Sequence, residues 1–181
     1  NGVYKSTNGG TSWALLAAAP SGVGMGRISI AVSRSGASAV YVSVASPAAV
    51  SAILSLVRSD DGGATFTASA TTTPPLNYLG GQGWYDTTIA VDPSNSAIVY
   101  VGGASGTNSV QRSSNGGLSW TPIAIGGAPI FTSPHVDHHG AAFDANGKFL
   151  DGNDGGIYRL DDPSLITWSN LNGNLGTIQF E

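Results

Sequence analysis

All three histidines of the chain fall within five residues, His135-Val136-Asp137-His138-His139, with a carboxylate between them. Imidazoles and a carboxylate at this spacing supply metal ligands, an acid–base pair, or a hydrogen-bonded cluster that closes a seam. In an extended conformation His135, Asp137 and His139 project to one side and Val136 and His138 to the other. Two imidazoles and one carboxylate form a ligand set for a divalent metal such as zinc, to which Asp86 could add a further oxygen. The same run serves equally well if the histidines simply hydrogen-bond the carboxylate.

A second chemistry-bearing stretch is Gln82-Gly83-Trp84-Tyr85-Asp86. Asp86 and Asp137 are the acids that would sit together if the two stretches converge. A glycosidase needs such a pair about 5–10 Å apart, one protonated and one ionised. Trp84, Tyr85 and Tyr78 lie on the long loop from Ala70 to Asp86, whose Thr-Thr-Thr-Pro-Pro segment resists regular structure. Its aromatics either stack on sugar rings or pack the loop onto its own scaffold. Asn153-Asp154-Gly155-Gly156, near Asp144 and Asp151, has the composition of a calcium loop but lacks the spaced oxygens and terminal glutamate. It is read as a turn between two strands, with calcium as the other option.

The elements that position these groups are written in a repeat. Ser6-Thr7-Asn8-Gly9-Gly10-Thr11-Ser12-Trp13 recurs as Ser59 to Phe66, with Asp61 and Gly63, and as Ser113 to Trp120, with Asn115 and Gly117. Each copy is a tight hairpin: the Asn or Asp side chain bonds its own turn, and the glycines supply positive φ. An eroded copy keeps Trp168 without the paired glycines, and the aromatics recur at a period of about fifty residues. Between the turns, alternating runs such as Thr87 to Asp92 and Ala97 to Val101 read as strands, four to a unit.

Ser-x-Asp-x-Gly-x-x-Trp resembles the Asp-box, or BNR, repeat of sialidases, xyloglucanase-type glycoside hydrolases and the sortilin ectodomain. The resemblance implies an all-β fold, a β-propeller segment of four-stranded antiparallel blades. The expected division is a half blade at 1–20, blades at 21–70, 71–125 and 126–175, and the first strand of another at 176–181. Ser6, Asn8, Gly10, Trp13, Ser59, Asp61, Gly63, Phe66, Ser113, Asn115, Gly117, Trp120 and Trp168 are then structural. Three whole blades fall short of the four that a closed propeller ordinarily uses, so the remaining blades are expected from a longer protein or from further copies.

In that fold the first strand of each blade lines the channel, and the loop entering it lies opposite the Asp-box turns. Aligning Val32, Val91 and Phe143 puts Arg27, Asp86 and His138 at one common place. Arg27, Trp84, Tyr85 and His138 are the expected binding residues, Asp86 and Asp137 the candidate catalytic pair, and His135, Asp137 and His139 the candidate metal ligands for zinc or calcium. With Gln82 to Asp86, His135 to His139 and Gly152 to Tyr158 as its marks, the chain is similar over residues 80–181 to secreted bacterial BNR-repeat proteins of glycosyl-hydrolase-like type, and over the first eighty only through the repeat. That likeness implies a secreted or cell-surface protein that binds or hydrolyses carbohydrate; a non-catalytic scaffold that docks an extracellular protein is the alternative. A sialidase would need three arginines and a Tyr–Glu pair, whereas Arg58, Arg112 and Arg159 precede hairpin turns and the one glutamate is Glu181.

Composition excludes other classes. Of 181 residues only 10% are charged and 26 are glycine, which suits short strands and many turns. Seven Lys and Arg against a net charge of −4 leave little to neutralise a phosphate backbone, so no nucleic-acid partner is expected. No apolar run approaches a membrane span, and the absence of cysteine removes disulfides, thiolate ligands and thiol nucleophiles.

Overall fold

The computed structural model describes residues 1–35, 38–47, 52–69, 77–124 and 133–173. A two-stranded hairpin, β1 (Tyr4–Lys5) and β2 (Ala14–Leu15), is followed by three four-stranded antiparallel sheets. The first contains β3 (Ile28–Val32), β4 (Val40–Ala45), β5 (Ile53–Ser59) and β6 (Thr67–Ala68). The second contains β7 (Thr88–Val91), β8 (Val99–Gly102), β9 (Val110–Ser113) and β10 (Thr121–Pro122). The third contains β11 (His138–Phe143), β12 (Phe149–Asn153), β13 (Gly156–Asp162) and β14 (Thr167–Asn170). Within each sheet the strands pair in chain order, which is the meander of a propeller blade. The strand expected over 176–181 and the Thr-Thr-Thr-Pro-Pro segment lie outside the described residues.

The first strands β3, β7 and β11 stand side by side, so the blades fan around a common axis. Three apolar clusters fill the seams. Val3, Ala19, Val42 and Val44 join the hairpin to the first blade, and Tyr41, Leu56, Tyr78, Val99 and Val101 join the first to the second. Tyr100, Val110, Phe149, Leu160 and Trp168 join the second to the third, with Tyr100 and Phe149 stacked at 4.1 Å and 7°. Period-two alternation explains the division: Val101 faces one seam and its neighbour Tyr100 the other.

The three glycine-paired turns share one hydrogen-bond pattern. Ser113 Oγ accepts the Gly117 N–H at 2.8 Å and donates to Asn115 Oδ1, which itself accepts the Ser119 N–H at 2.9 Å. Ser59, Asp61, Gly63 and Thr65 repeat these contacts, as do Ser6, Asn8, Gly10 and Ser12. Both glycines of each turn have positive φ, a conformation that costs a residue with a Cβ. In Asp61 the accepted hydrogen bonds from Thr65 and Ser59 hold the carboxyl well below the usual carboxylate range.

The aromatic that closes each turn reaches back to the preceding blade. Trp168 Nε1 donates to the Ile123 carbonyl at 2.8 Å, and Trp120 Nε1 to Ser69 Oγ at 3.3 Å. Phe66 is half-buried against the hairpin cluster. Trp13 differs: its ring folds over Gly10 but stays 64% exposed, because among the described residues no blade precedes the hairpin to cover it.

Register places the ends. Val32 pairs with Val40 and Val40 with Ser59, so the turns follow the end at which the inner strands finish. The chain entering those inner strands, with Arg27, Asp86 and His138, lies at the opposite end.

Candidate functional site

The entry to β7 is built from a buried anchor and a tight turn. Tyr78 and Leu79 are fully buried, and the Tyr78 carbonyl accepts the Ser105 N–H from the neighbouring hairpin. Gly80 and Gly81, both at positive φ, then turn the chain, and the Tyr85 and Asp86 N–H groups both donate to the Gln82 carbonyl at 2.8 Å. The turn lifts Trp84 and Tyr85 into solvent, 64% and 49% exposed, and sends Asp86 into the seam at 1%. Tyr78, considered above as a stacking aromatic, is instead the buried anchor, its hydroxyl bonded to Ser43 Oγ.

The entry to β11 does not form the extended run expected from sequence. Asp137 has φ of 64°, and the register shifts between His138 and Gly140, so strand alternation does not extend through His135 to His139. The side chains separate accordingly. His135 Nδ1 donates to the Val136 carbonyl at 3.1 Å. His138 turns inward, fully buried, with Nδ1 donating to both Asp151 oxygens at 2.8 and 2.9 Å, while Asn153 Nδ2 donates to Asp151 Oδ2. His138 is therefore unavailable to a ligand on this face, which corrects its expected binding role. His139 stays on the face at 36% exposure.

The candidate metal set is corrected for the same reason. Among the described residues, no group of three or more His, Asp or Glu side chains is arranged to hold a metal ion. The left-handed backbone at Asp137 breaks the alternation that would have aligned His135, Asp137 and His139. The Asn153–Gly156 segment is a hairpin turn, with Asn153 Oδ1 accepting the Gly155 N–H.

Asp86, Asp137, His139 and Asp154 do come together. His139 Nε2 donates to Asp154 Oδ1 at 2.7 Å, and its Nδ1 stands 3.3 Å from Asp86 Oδ1 without forming a hydrogen bond. Gln82 Nε2 donates to Asp137 Oδ1 at 3.1 Å across the seam. Burial, then the charge and hydrogen-bonding reach of the Asp137 carboxyl, push the Asp86 carboxyl up to about 6, partly offset by His139. Among the described residues no N–H or O–H donates to either Asp86 oxygen. Asp86, Asp137 and His139 Nδ1, which faces Asp86, all accept, so a proton held on Asp86 is the cheapest way to seat the buried carboxyl.

Around this cluster, Trp84 and Tyr85 rings lie 5.3 Å apart, and Tyr85 meets the His139 ring edge-on at 5.1 Å. Arg27 is exposed, and its Nη1 donates to the Tyr85 carbonyl, tying the first blade to the second. A cavity of about 260 Å³ opens alongside between the inner strands, lined by Ser29, Ile30, Thr87, Thr88, Ile89, His139 and Ala141. Arg58, Arg112 and Arg159 are engaged elsewhere, on Asp60, on the Tyr100 hydroxyl and on Asp161. From sequence, Asp154 falls in a turn with Asp151 nearby, calcium being the other option. The signal that could have found Asp154 is the Asn153–Gly156 hairpin, which returns it beside the start of β11.

The fold is that of a β-propeller. The GH74 xyloglucanase from Xanthomonas campestris (Xcc1752) matches with a TM-score of 0.59 at 20% identity, covering 80% of this chain and 23% of that one. The GH74 enzyme of Niastella koreensis gives 0.43 at 20% identity over 83% of this chain and 30% of that one. YCF48 from Cyanidioschyzon merolae gives 0.40 at 12% identity, over 83% of this chain and 57% of that one. This chain thus spans less than a third of either GH74 enzyme. No family model and no curated protein matches the chain. Among the described residues no helix is long and apolar enough to cross a membrane.

Proposed function

We propose that the end of the blades carrying Trp84, Tyr85, His139 and Asp137 is a carbohydrate-binding face of a secreted or cell-surface propeller. The observation that carries this reading is the aromatic pair, two large rings left 64% and 49% exposed beside polar groups. Sugar rings present C–H faces to such aromatics and hydroxyls to the surrounding carboxylates and amides. The likeness to a xyloglucanase propeller is consistent with it. Binding is favoured over hydrolysis at Asp86 and Asp137, because Asp86 is 1% exposed with both oxygens shut away from solvent, whereas a catalytic carboxyl must reach the water or the glycosidic oxygen.

The alternative is a scaffold that docks an extracellular protein on the same face. It is favoured by the Arg27–Tyr85 and Gln82–Asp137 bonds, which tie successive blades into one rigid surface. In either case the exposed Tyr4, Trp13 and Leu15 on the hairpin support contact with a further blade, from the same protein or another copy.

Calorimetric titration with neutral and charged oligosaccharides tests the reading. Millimolar or tighter binding is expected, weakened about tenfold or more by Trp84→Ala, a loss of about 1.4 kcal/mol. Absence of binding to every glycan, or binding indifferent to Trp84→Ala, would overturn it.

A further inference from the structure

The cluster at the blade entrances has an imbalance of hydrogen-bonding groups that identifies what it lacks. Acceptors are plentiful: both oxygens of Asp86, the carboxylates of Asp137 and Asp154, and His139 Nδ1 when Nε2 carries the proton. Among the described residues the side-chain donors bonded to these carboxylates are Gln82 Nε2 on Asp137 and His139 Nε2 on Asp154. Asp86 is 1% exposed, has no donor on either oxygen among the described residues, and faces His139 and Asp137. A buried carboxyl left in that state is an exception that calls for a missing partner.

The partner must bring donors, positive charge, or both. Arg27 does not serve, because its guanidinium is engaged on the Tyr85 carbonyl. A metal ion fits poorly: among the described residues no three His, Asp or Glu side chains are arranged to hold one. A primary ammonium carries three donors, no acceptor and one charge, and it can bridge neighbouring carboxylates without an ordered coordination sphere. Exposed Trp84 and Tyr85 next to the cluster add π faces that attract the same cation.

We propose that this face selects a protonated amine, and, resting on the carbohydrate reading above, that its ligand is a glycan rich in 2-amino sugars with free ammonium groups. The amine docks at the partly exposed carboxylates of this cluster, Asp137 or Asp154, and its charge offsets that of the enclosed Asp86 close by. The sugar ring lies against Trp84 and Tyr85. Anionic glycans are disfavoured, since Asp86, Asp137 and Asp154 would repel a uronate or sialate carboxylate.

The test compares glucosamine oligomers, their N-acetylated counterparts and glucose oligomers of equal length by calorimetry at pH 6.5. The glucosamine series is expected to bind at least tenfold more tightly than the other two. Asp154→Asn, at an exposed position, should cut that preference at least threefold. Equal affinity for all three series would overturn the amine inference and leave the carbohydrate reading standing. Binding of simple diamines as tightly as glucosamine oligomers, with no binding of neutral sugars, would sustain the amine site and overturn the carbohydrate reading. Thermal stabilisation by millimolar calcium or zinc that Asp154→Asn abolishes would instead assign the cluster to a metal and overturn the amine.

Discussion

Trp168 and Ile123 are joined across the seam between the second and third blades, the indole N–H donating to the main-chain carbonyl at 2.8 Å. The ring is 7% exposed and meets Phe149 edge-on at 6.2 Å. Truncation therefore removes both a buried hydrogen bond and a large apolar volume. Trp168→Ala should destabilise by about 3–5 kcal/mol, and Trp168→Phe by roughly 1 kcal/mol. Trp13→Ala should cost under about 1 kcal/mol, since that ring is 64% exposed. Urea unfolding of the three variants checks the order.

The repeated turns allow a matched comparison. Ser113 is buried, and its Oγ accepts the N–H groups of Gly117 and Asn115. Ser6 makes the same bonds in a turn open to solvent. Ser113→Ala should cost about 1–3 kcal/mol, because buried donors are left unpaired, whereas at Ser6 water substitutes and the loss stays below about 1 kcal/mol. Equal losses in chemical denaturation would contradict this account.

Gly102 tests the close approach of the second and third blades. A Cβ there would sit 2.5 Å from Thr88 Oγ1 and 2.9 Å from His138 Cβ, and His138 is fully buried and held by Asp151. Gly102→Ala should destabilise by about 1–3 kcal/mol. Gly140→Ala, where a Cβ meets nothing within 4 Å, should be neutral or slightly stabilising. The difference in melting temperature between the two variants is the readout.

Asp86 predicts a pH dependence with a definite sign. Its folded carboxyl is raised to about 6, above its unfolded value, so the folded state holds the proton longer. Its contribution to stability is fully present below about pH 4 and is lost as pH rises through about 6. The groups facing it are Asp137, His139 and Asp154, with Arg27 turned to the Tyr85 carbonyl. Asp86→Asn, which carries an N–H donor at every pH, should remove this slope and be relatively more stable at pH 7 than at pH 4. Unfolding free energies at the two values decide it; an unchanged slope would mean that Asp86 titrates normally.

The fold was legible because its signals are local. A Ser, an Asn or Asp two residues on and paired glycines dictate a turn within eight residues, and period-two alternation sends neighbours such as Ala90 and Val91 into opposite seams. The candidate site was legible only to the extent that Asp86 and Asp137 come together. His138 and His139 could not be told apart as inward and outward, because that depends on the left-handed backbone at Asp137 and a register shift. Tyr78 and Trp84 belong to one loop, yet one anchors it and the other leaves it. The difference arises from Gly80 and Gly81 and from the Ser105 bond to the Tyr78 carbonyl, a contact distant in sequence.

The uneven cover over the four tryptophans gives this molecule its own optical reporter. Trp13 and Trp84 stand in water while Trp120 and Trp168 are enclosed between blades, so collisional quenchers should extinguish two emitters early and two late. A ligand on the blade-entrance face would shield one of the early pair, and parting of the blades would convert the late pair into early ones. Occupancy and loosening of the assembly can thus be followed separately by fluorescence without attaching a dye.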